Sequence, residues 1–207
     1  MKKLLTVILF VSAPAFGTTN QLDFMWGRCS PLGSVQAQGS TEQDGLRGSC
    51  WNADALHHVS DRFYIGMGFG QFRSADNNST TFMANSIATI SSRKTSTLLL
   101  GRMDLTTTSH FVTYAIAGLG WVQNSLTVNS DQGTIVDQSR STFGFSGGLG
   151  FDVLVTQALV IGIETRYDGS PAQHFGMTAA GAAATGQTDL RTSADLFSVG
   201  LKAGIKY

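Results

Sequence analysis

Leu196-Phe197-Ser198-Val199-Gly200-Leu201-Lys202-Ala203-Gly204-Ile205-Lys206-Tyr207 decides the fold. Taken in alternation, Phe197, Val199, Leu201, Ala203, Ile205 and Tyr207 form an apolar row that ends on an aromatic. Ser198, Gly200, Lys202, Gly204 and Lys206 form a second row, small or charged. A period of two means a strand with two unlike faces. Which face meets solvent separates a soluble sheet from a membrane one.

The same alternation recurs upstream. Phe63, Ile65, Met67 and Phe69 oppose Tyr64, Gly66, Gly68 and Gly70. Thr97, Leu99, Gly101, Met103 and Leu105 oppose Leu98, Leu100, Arg102 and Asp104. Phe143, Phe145, Leu149, Phe151 and Val153 oppose Gly144, Gly148, Gly150 and Asp152, and Leu159, Ile161, Ile163, Thr165 and Tyr167 oppose Gly162, Glu164 and Arg166. Leu22, Phe24 and Trp26 share a face, and 111–123 is apolar on both faces, which leaves its orientation open. The faintest strand, 51–58, is supported by a repeat: the turn before Phe63-Tyr64-Ile65-Gly66-Met67 lines up with the turn before Leu159-Val160-Ile161-Gly162-Ile163. The total is about eight strands of about ten residues, the smallest common size for a transmembrane barrel.

Connections alternate in length. Polar stretches expected to be long loops cover 30–49, 74–92, 124–139 and 168–195, whereas 59–61, 106–110 and 155–158 are short. Up-and-down transmembrane barrels have this asymmetry, with short periplasmic turns and long external loops.

The charges decide which face is inside. Arg102, Asp104, Asp152, Glu164, Arg166, Lys202 and Lys206 all fall on the even-numbered rows, most of which carry Gly, four positive and three negative. A narrow barrel interior can hold such a near-balanced set if its members pair, with the glycines leaving room for long stems. Arg or Lys at the bilayer midplane costs about 2–4 kcal/mol, and the apolar rows carry neither. The alternative is a secreted β-sandwich or lipocalin-like barrel with the rows reversed. Its water-facing strands would then be Gly-rich, which weakens a strand without a packing reason. The reading adopted is all-β: an eight-stranded antiparallel up-and-down transmembrane β-barrel.

The start of the chain fits export. Met1-Lys2-Lys3, the apolar run from Leu4 to Val11, and the small residues Ala15 and Gly17 form a secretory signal peptide over 1–17, leaving a barrel domain over 18–207. No later run is long enough for a membrane-spanning helix. Cys29 and Cys50 are the only cysteines. An exported chain meets an oxidising compartment, so an even pair points to a disulfide at the base of a long loop, with two free buried thiols as the alternative. Neither cysteine has metal-ligand spacing to a His, so no metal or cofactor is expected. Formal net charge is zero and basic clusters are lacking, so no nucleic acid is expected as a partner.

Gly148-Leu149-Gly150-Phe151-Asp152-Val153, the strand from Leu159 to Tyr167, Gly118-Leu119-Gly120-Trp121 and the aromatic-terminated last strand resemble small outer-membrane barrels of the opacity-protein and OmpA-like type. The resemblance is best from Phe111 onward and slight before Asp61. It implies a Gram-negative outer membrane, surrounding lipopolysaccharide, and external loops that meet a host or cell-surface ligand. It also implies that Phe197, Val199, Leu201, Ala203, Ile205 and Tyr207 form the signal read by the barrel assembly machinery. That signal most often ends in Phe, where this chain has Tyr207. The resemblance supplies no activity.

Catalytic chemistry has one candidate, His57-His58-Val59-Ser60-Asp61. His58 and Ser60 could mimic the His-x-Ser pair of a lipid A deacylase, but they fall at a short turn, away from the outer leaflet, and turn chemistry accounts for Ser60-Asp61. The expected function is therefore non-enzymatic: a surface barrel acting through its long loops in adhesion or envelope structure. A narrow passive pore is the alternative.

Overall fold

The computed structural model describes residues 20–32, 35–36, 48–74, 79–83, 86–130, 133–185, 188–192 and 195–207. The signal peptide expected over 1–17 lies outside them, as does most of the polar run between Cys29 and Cys50.

Eight strands close into a ring: β1 (Asn20–Pro31), β2 (Gly48–Ser60), β3 (Phe63–Ser74), β4 (Ser86–Thr107), β5 (Phe111–Ser130), β6 (Gly133–Leu154), β7 (Leu159–Gly169) and β8 (Leu196–Lys206). Each pairs antiparallel with its sequence neighbours, and β8 pairs with β1 from Gln21↔Lys206 to Pro31↔Leu196. The ring has no free edge, so every strand backbone in the bilayer is paired. Asn20 and Tyr207 exchange backbone hydrogen bonds of 2.8 and 3.0 Å, which ties both strand ends to the short-turn side. There, Thr108 Oγ1 accepts from the Phe111 amide at 3.0 Å, and Thr156 Oγ1 accepts from the Leu159 amide at 2.9 Å. These hydroxyls satisfy amides that a tight turn would otherwise strand.

The other end departs from the sequence expectation. Stretches 74–92 and 124–139 are largely strand rather than loop. The β5–β6 ladder continues to Ser130↔Gly133, and a short strand, Ser79–Met83, folds back on β4. Gly133 has φ 121°, which lets the hairpin reverse tightly. Polar composition hid these strands, because past the lipid a strand needs one apolar face at most. That face exists: Ile90, Leu126, Val128, Ile135 and Val136 are buried together with Phe175 and Leu190. The latter two come from 168–195, also expected to be a loop. It holds two strands of a three-stranded sheet, Gln173–Gly176 and Asp189–Thr192, the third being Val35–Gln36, and a helical turn, α1 (Ala179–Thr185). Thr178 caps that helix, its Oγ1 accepting from the Gly181 amide at 3.1 Å. The result is a small second core standing on the long-loop end of the barrel.

Candidate functional site

The two rows of each strand separate completely. Outward-facing Trp26, Leu99, Leu149 and Leu201 are 59–66% exposed, while Arg102, Asp152, Glu164 and Lys202 on the other rows are at most 2% exposed. From β1 to β8 the outward row carries no Asp, Glu, Lys or Arg between Phe111 and Tyr207 at the short-turn end and Trp26, Trp51 and Trp121 at the other. An apolar surface continuous around a closed ring is far larger than a soluble protein leaves exposed. On β5, whose orientation the sequence leaves open, Val112, Tyr114 and Ile116 point inward and Leu119 and Trp121 outward.

Inside, the charged groups form one connected network. Arg102 Nε donates to Asp104 at 2.9 Å, and its terminal nitrogens lie 3.1 Å from Asp152 and 3.6 Å from Asp23 as ion pairs without hydrogen-bond alignment. Lys202 Nζ donates to Asp152 at 2.8 Å and to Asp23 at 3.2 Å, and Gln21 Nε2 donates to both oxygens of Asp23. Tyr114 lies between the two cations, with Arg102 3.8 Å and Lys202 4.3 Å from its ring centroid. Its hydroxyl donates to Glu164 at 2.7 Å. Glu164 accepts from Arg166 Nε at 2.8 Å, and Arg166 pairs across the barrel with Asp54 at 2.5 Å. Every strand but β3 contributes a polar member, and β3 supplies Tyr64 beneath Arg102. Charges this buried are tolerable only because each meets opposite charge.

Of the residues singled out in the sequence, Arg102, Asp104, Asp152, Glu164, Arg166 and Lys202 meet in this network. Lys206 sits half-buried at the short-turn mouth, with no ion pair among the described residues. Asp23, Asp54 and Tyr114, with the flanking Gln21 and Tyr64, escaped the sequence reading. The signal for the carboxylates was present, since Asp23 alternates with Leu22, Phe24 and Trp26, and Asp54 lies between Ala53 and Ala55. The inward glycines make the space. A methyl group at Gly150 would overlap the Tyr114 ring, and one at Gly204 would overlap the Asp23 carboxylate.

Toward the long-loop end the lumen mixes apolar side chains with buried Asn52, Lys94 and Asn124. Cys29 and Cys50 form a disulfide with Cα atoms 5.8 Å apart, facing inward and packed with Phe72 and Leu196. Lys94 Nζ donates to the Asp168 carbonyl at 3.0 Å beside them. The outward residues Phe197, Val199, Leu201, Ala203, Ile205 and Tyr207 of β8 are all exposed. The His58 ring lies tilted against Tyr64, centroids 4.9 Å apart, and the β2–β3 register shifts between His58 and Ser60. No hydrogen bond joins His58 and Ser60 among the described residues.

Comparison with known proteins adds the family. Residues 4–203 match the family described as outer membrane protein beta-barrel domain. The chain belongs to that family. As a member of the outer membrane protein beta-barrel domain family, it lies in the outer membrane. Its structure is similar to outer membrane protein OprG from Pseudomonas aeruginosa at 14% identity and TM-score 0.61, covering 91% of this chain and 95% of that one. It is also similar to the attachment invasion locus protein Ail of Yersinia pestis in complex with the heparin analogue sucrose octasulfate (13%, TM-score 0.50, 92% and 99% covered). A third similar structure is the outer membrane protease OmpT from Escherichia coli (10%, TM-score 0.50, 91% and 96% covered). At these identities the likeness is one of fold, and a fold shared with a protease fixes no chemistry. No curated protein sequence matches the chain.

Proposed function

We propose that this outer-membrane barrel is a non-enzymatic presenter that holds a rigid binding surface outside the cell. The observation that carries this is the second core. Ile90, Leu126, Val128, Ile135 and Val136 extend β4 to β6 beyond the lipid-facing rows, and Phe175 and Leu190 cap them. A fold that only closed a hole in lipid would not need a packed core there. Ordered loops lower the entropy lost when a partner binds. A host or cell-surface molecule is the partner of this surface, as the attachment protein among the similar structures also suggests. Insertion runs through the barrel assembly machinery, for which the outward row of β8 is the recognition strand.

The pore alternative has less support, because the lumen is filled. Arg102, Tyr114, Arg166 and Lys202 are at most 2% exposed, and Leu56, Leu98, Leu100 and Ile116 pack beside them. In planar bilayers the protein is expected to give no steady single-channel conductance.

The presenter reading is tested by replacing 173–192 with a short Gly-Ser linker. Cells displaying the full chain or the trimmed one are compared for adhesion to host-cell surfaces and matrix. Adhesion should fall on trimming while the unboiled protein keeps its heat-modifiable gel migration. Full adhesion by a trimmed, folded barrel would overturn the proposal.

A further inference from the structure

Cys29 and Cys50 lie 21 residues apart in sequence, on β1 and β2. Each faces a glycine across the ladder, Cys29 opposite Gly48 and Cys50 opposite Gly27, so the bridge runs on the diagonal between them. A register slip of one residue would put the two sulfurs on opposite faces. This pair of strands supplies both thiols but not their cover. The cover is Phe72 of β3 and Leu196 of β8, which form one cluster with the cysteines and leave them at most 4% exposed. Leu196 arrives only with the strand that closes the ring. The β1–β8 ladder then runs past the bridge, from Cys29↔Ser198 to Pro31↔Leu196, and the Leu32 amide donates to the Asp195 carbonyl at 2.9 Å. The free space bordered by both cysteines, Asn52, Lys94 and Leu196 is about 10 Å³, room for one water.

Thiol–disulfide exchange needs far more room than that. A thiolate of the chain attacks the disulfide of an oxidant, which displaces one oxidant thiolate and leaves a mixed disulfide. The second thiolate of the chain attacks the chain's own sulfur in that mixed disulfide, closes the Cys29–Cys50 bond and releases the oxidant as a dithiol. Two electrons pass from chain to oxidant, and the two thiol protons end on the released sulfurs. At the mixed-disulfide stage the oxidant is bonded to Cys29 or Cys50. In the closed barrel it would have to occupy the place of Phe72 or Leu196.

We propose that the bridge forms only before the ring closes: the unclosed dithiol chain is the substrate of a protein thiol–disulfide oxidase in the periplasm, and a chain that closes reduced stays reduced. The bridge then records the oxidising power that the chain met on its way to the membrane. The record reaches the outside, because the bridge ties the base of 30–49, and Val35–Gln36 of that stretch pairs with Arg191 and Thr192 in the cap. One sequence therefore yields two surface populations that do not interconvert. The inference rests on burial of the sulfurs and stands or falls separately from the presenter role.

The test starts from the purified, reduced chain with glutathione disulfide as oxidant. One sample is oxidised in urea. The other is first folded in detergent micelles, checked by heat-modifiable migration, and then given the same reagent. Bridge formation is read as a gel shift with a maleimide polymer after unfolding. It should be at least about a hundredfold slower in the folded barrel, which must wait for rare opening. In a Cys29→Ser/Cys50→Ser background, Ser49→Cys places a thiol at an exposed position of β2 and should form a mixed disulfide with glutathione at similar rates folded and unfolded. Oxidised wild-type barrel should resist dithiothreitol in micelles by the same factor, a measurement that needs no folding of the reduced chain. In cells, dithiothreitol present only during a pulse of synthesis should give folded surface barrels that stay reduced after washout. Oxidation of the folded reduced barrel, or reduction of the folded oxidised one, at the rate of the unfolded chain would overturn the proposal. So would bridging of folded surface barrels after washout, or an unreactive Ser49→Cys, since burial would then not be what sets the native pair apart.

Discussion

Arg102 is fully buried with Asp23, Asp104 and Asp152 around it. Arg102→Leu leaves three carboxylates facing one another with only Lys202 between two of them. Breaking a buried pair from one side costs about 3–5 kcal/mol, so the urea midpoint of the barrel in micelles should fall by that equivalent. Tyr114→Phe removes only the hydroxyl that Glu164 accepts and keeps the ring between the cations. Its loss should be smaller, about 1–3 kcal/mol. Equal losses for the two variants would mean that the network acts as packing and not as charge pairing. The sign and parity of the residues made much of this network legible: Arg102, Asp152, Glu164 and Lys202 alternate with apolar neighbours on strands of clear pattern. Asp23 and Asp54 lie on the two strands with the faintest pattern, where Ala53 and Ala55 give little contrast. Tyr114 was hidden because β5 is apolar on both faces, and only a ring of neighbours decides which side an aromatic takes.

For β8, the assignment of faces makes a sharp claim. Ala203 faces lipid between Phe24 and Ile161 of the flanking strands. Ala203→Arg should destabilise the folded barrel by about 2–4 kcal/mol in bilayers, whereas Gln123→Arg, outward but past Trp121 on β5, should cost at most about 1 kcal/mol. Similar costs at both sites in reversible bilayer unfolding would place the membrane boundary elsewhere. The pair β1 and β2 carries a second claim. The Cys29–Cys50 bridge closes a sequence separation of 21 residues between adjacent strands. Replacing both cysteines by serine should lower stability by about 3 kcal/mol, chiefly by freeing the unfolded chain. The barrel should still form, because the ladder Asn20↔His57 to Cys29↔Gly48 does not depend on the bridge. Within the bilayer the elements were legible because lipid demands a strict period of two. Above it the demand lapses, so Ser91, Ser125, Ser139 and their neighbours looked like loop although they continue β4 to β6. Ile90, Leu126 and Val128 were the surviving trace of the pattern.

At the scale of the molecule, two cores meet end to end. The barrel core is polar, paired and wrapped by apolar surface. The outer core is apolar and wrapped by polar surface. Each is inside-out with respect to the other because the solvent changes from lipid to water along the same three strands, β4 to β6. The two should therefore fail independently. Phe175 and Leu190 are both fully buried in the cap, in a cluster that shares no member with the barrel's ion-pair network. The double variant Phe175→Ser/Leu190→Ser removes much of the apolar area that holds 173–192 down, and truncation of a buried Leu or Phe costs about 2–5 kcal/mol per site. A cap of this size lacks the surplus to survive that loss. The expected outcome is rapid proteolytic cleavage within 173–192 and along the Ser130–Gly133 hairpin on whole cells, where wild-type protein resists. The resistant fragment should still migrate as a folded barrel when unboiled, with the same urea midpoint as wild type. If the midpoint dropped together with protease resistance, the two cores would be one cooperative unit, and the external surface could not be altered without cost to the barrel.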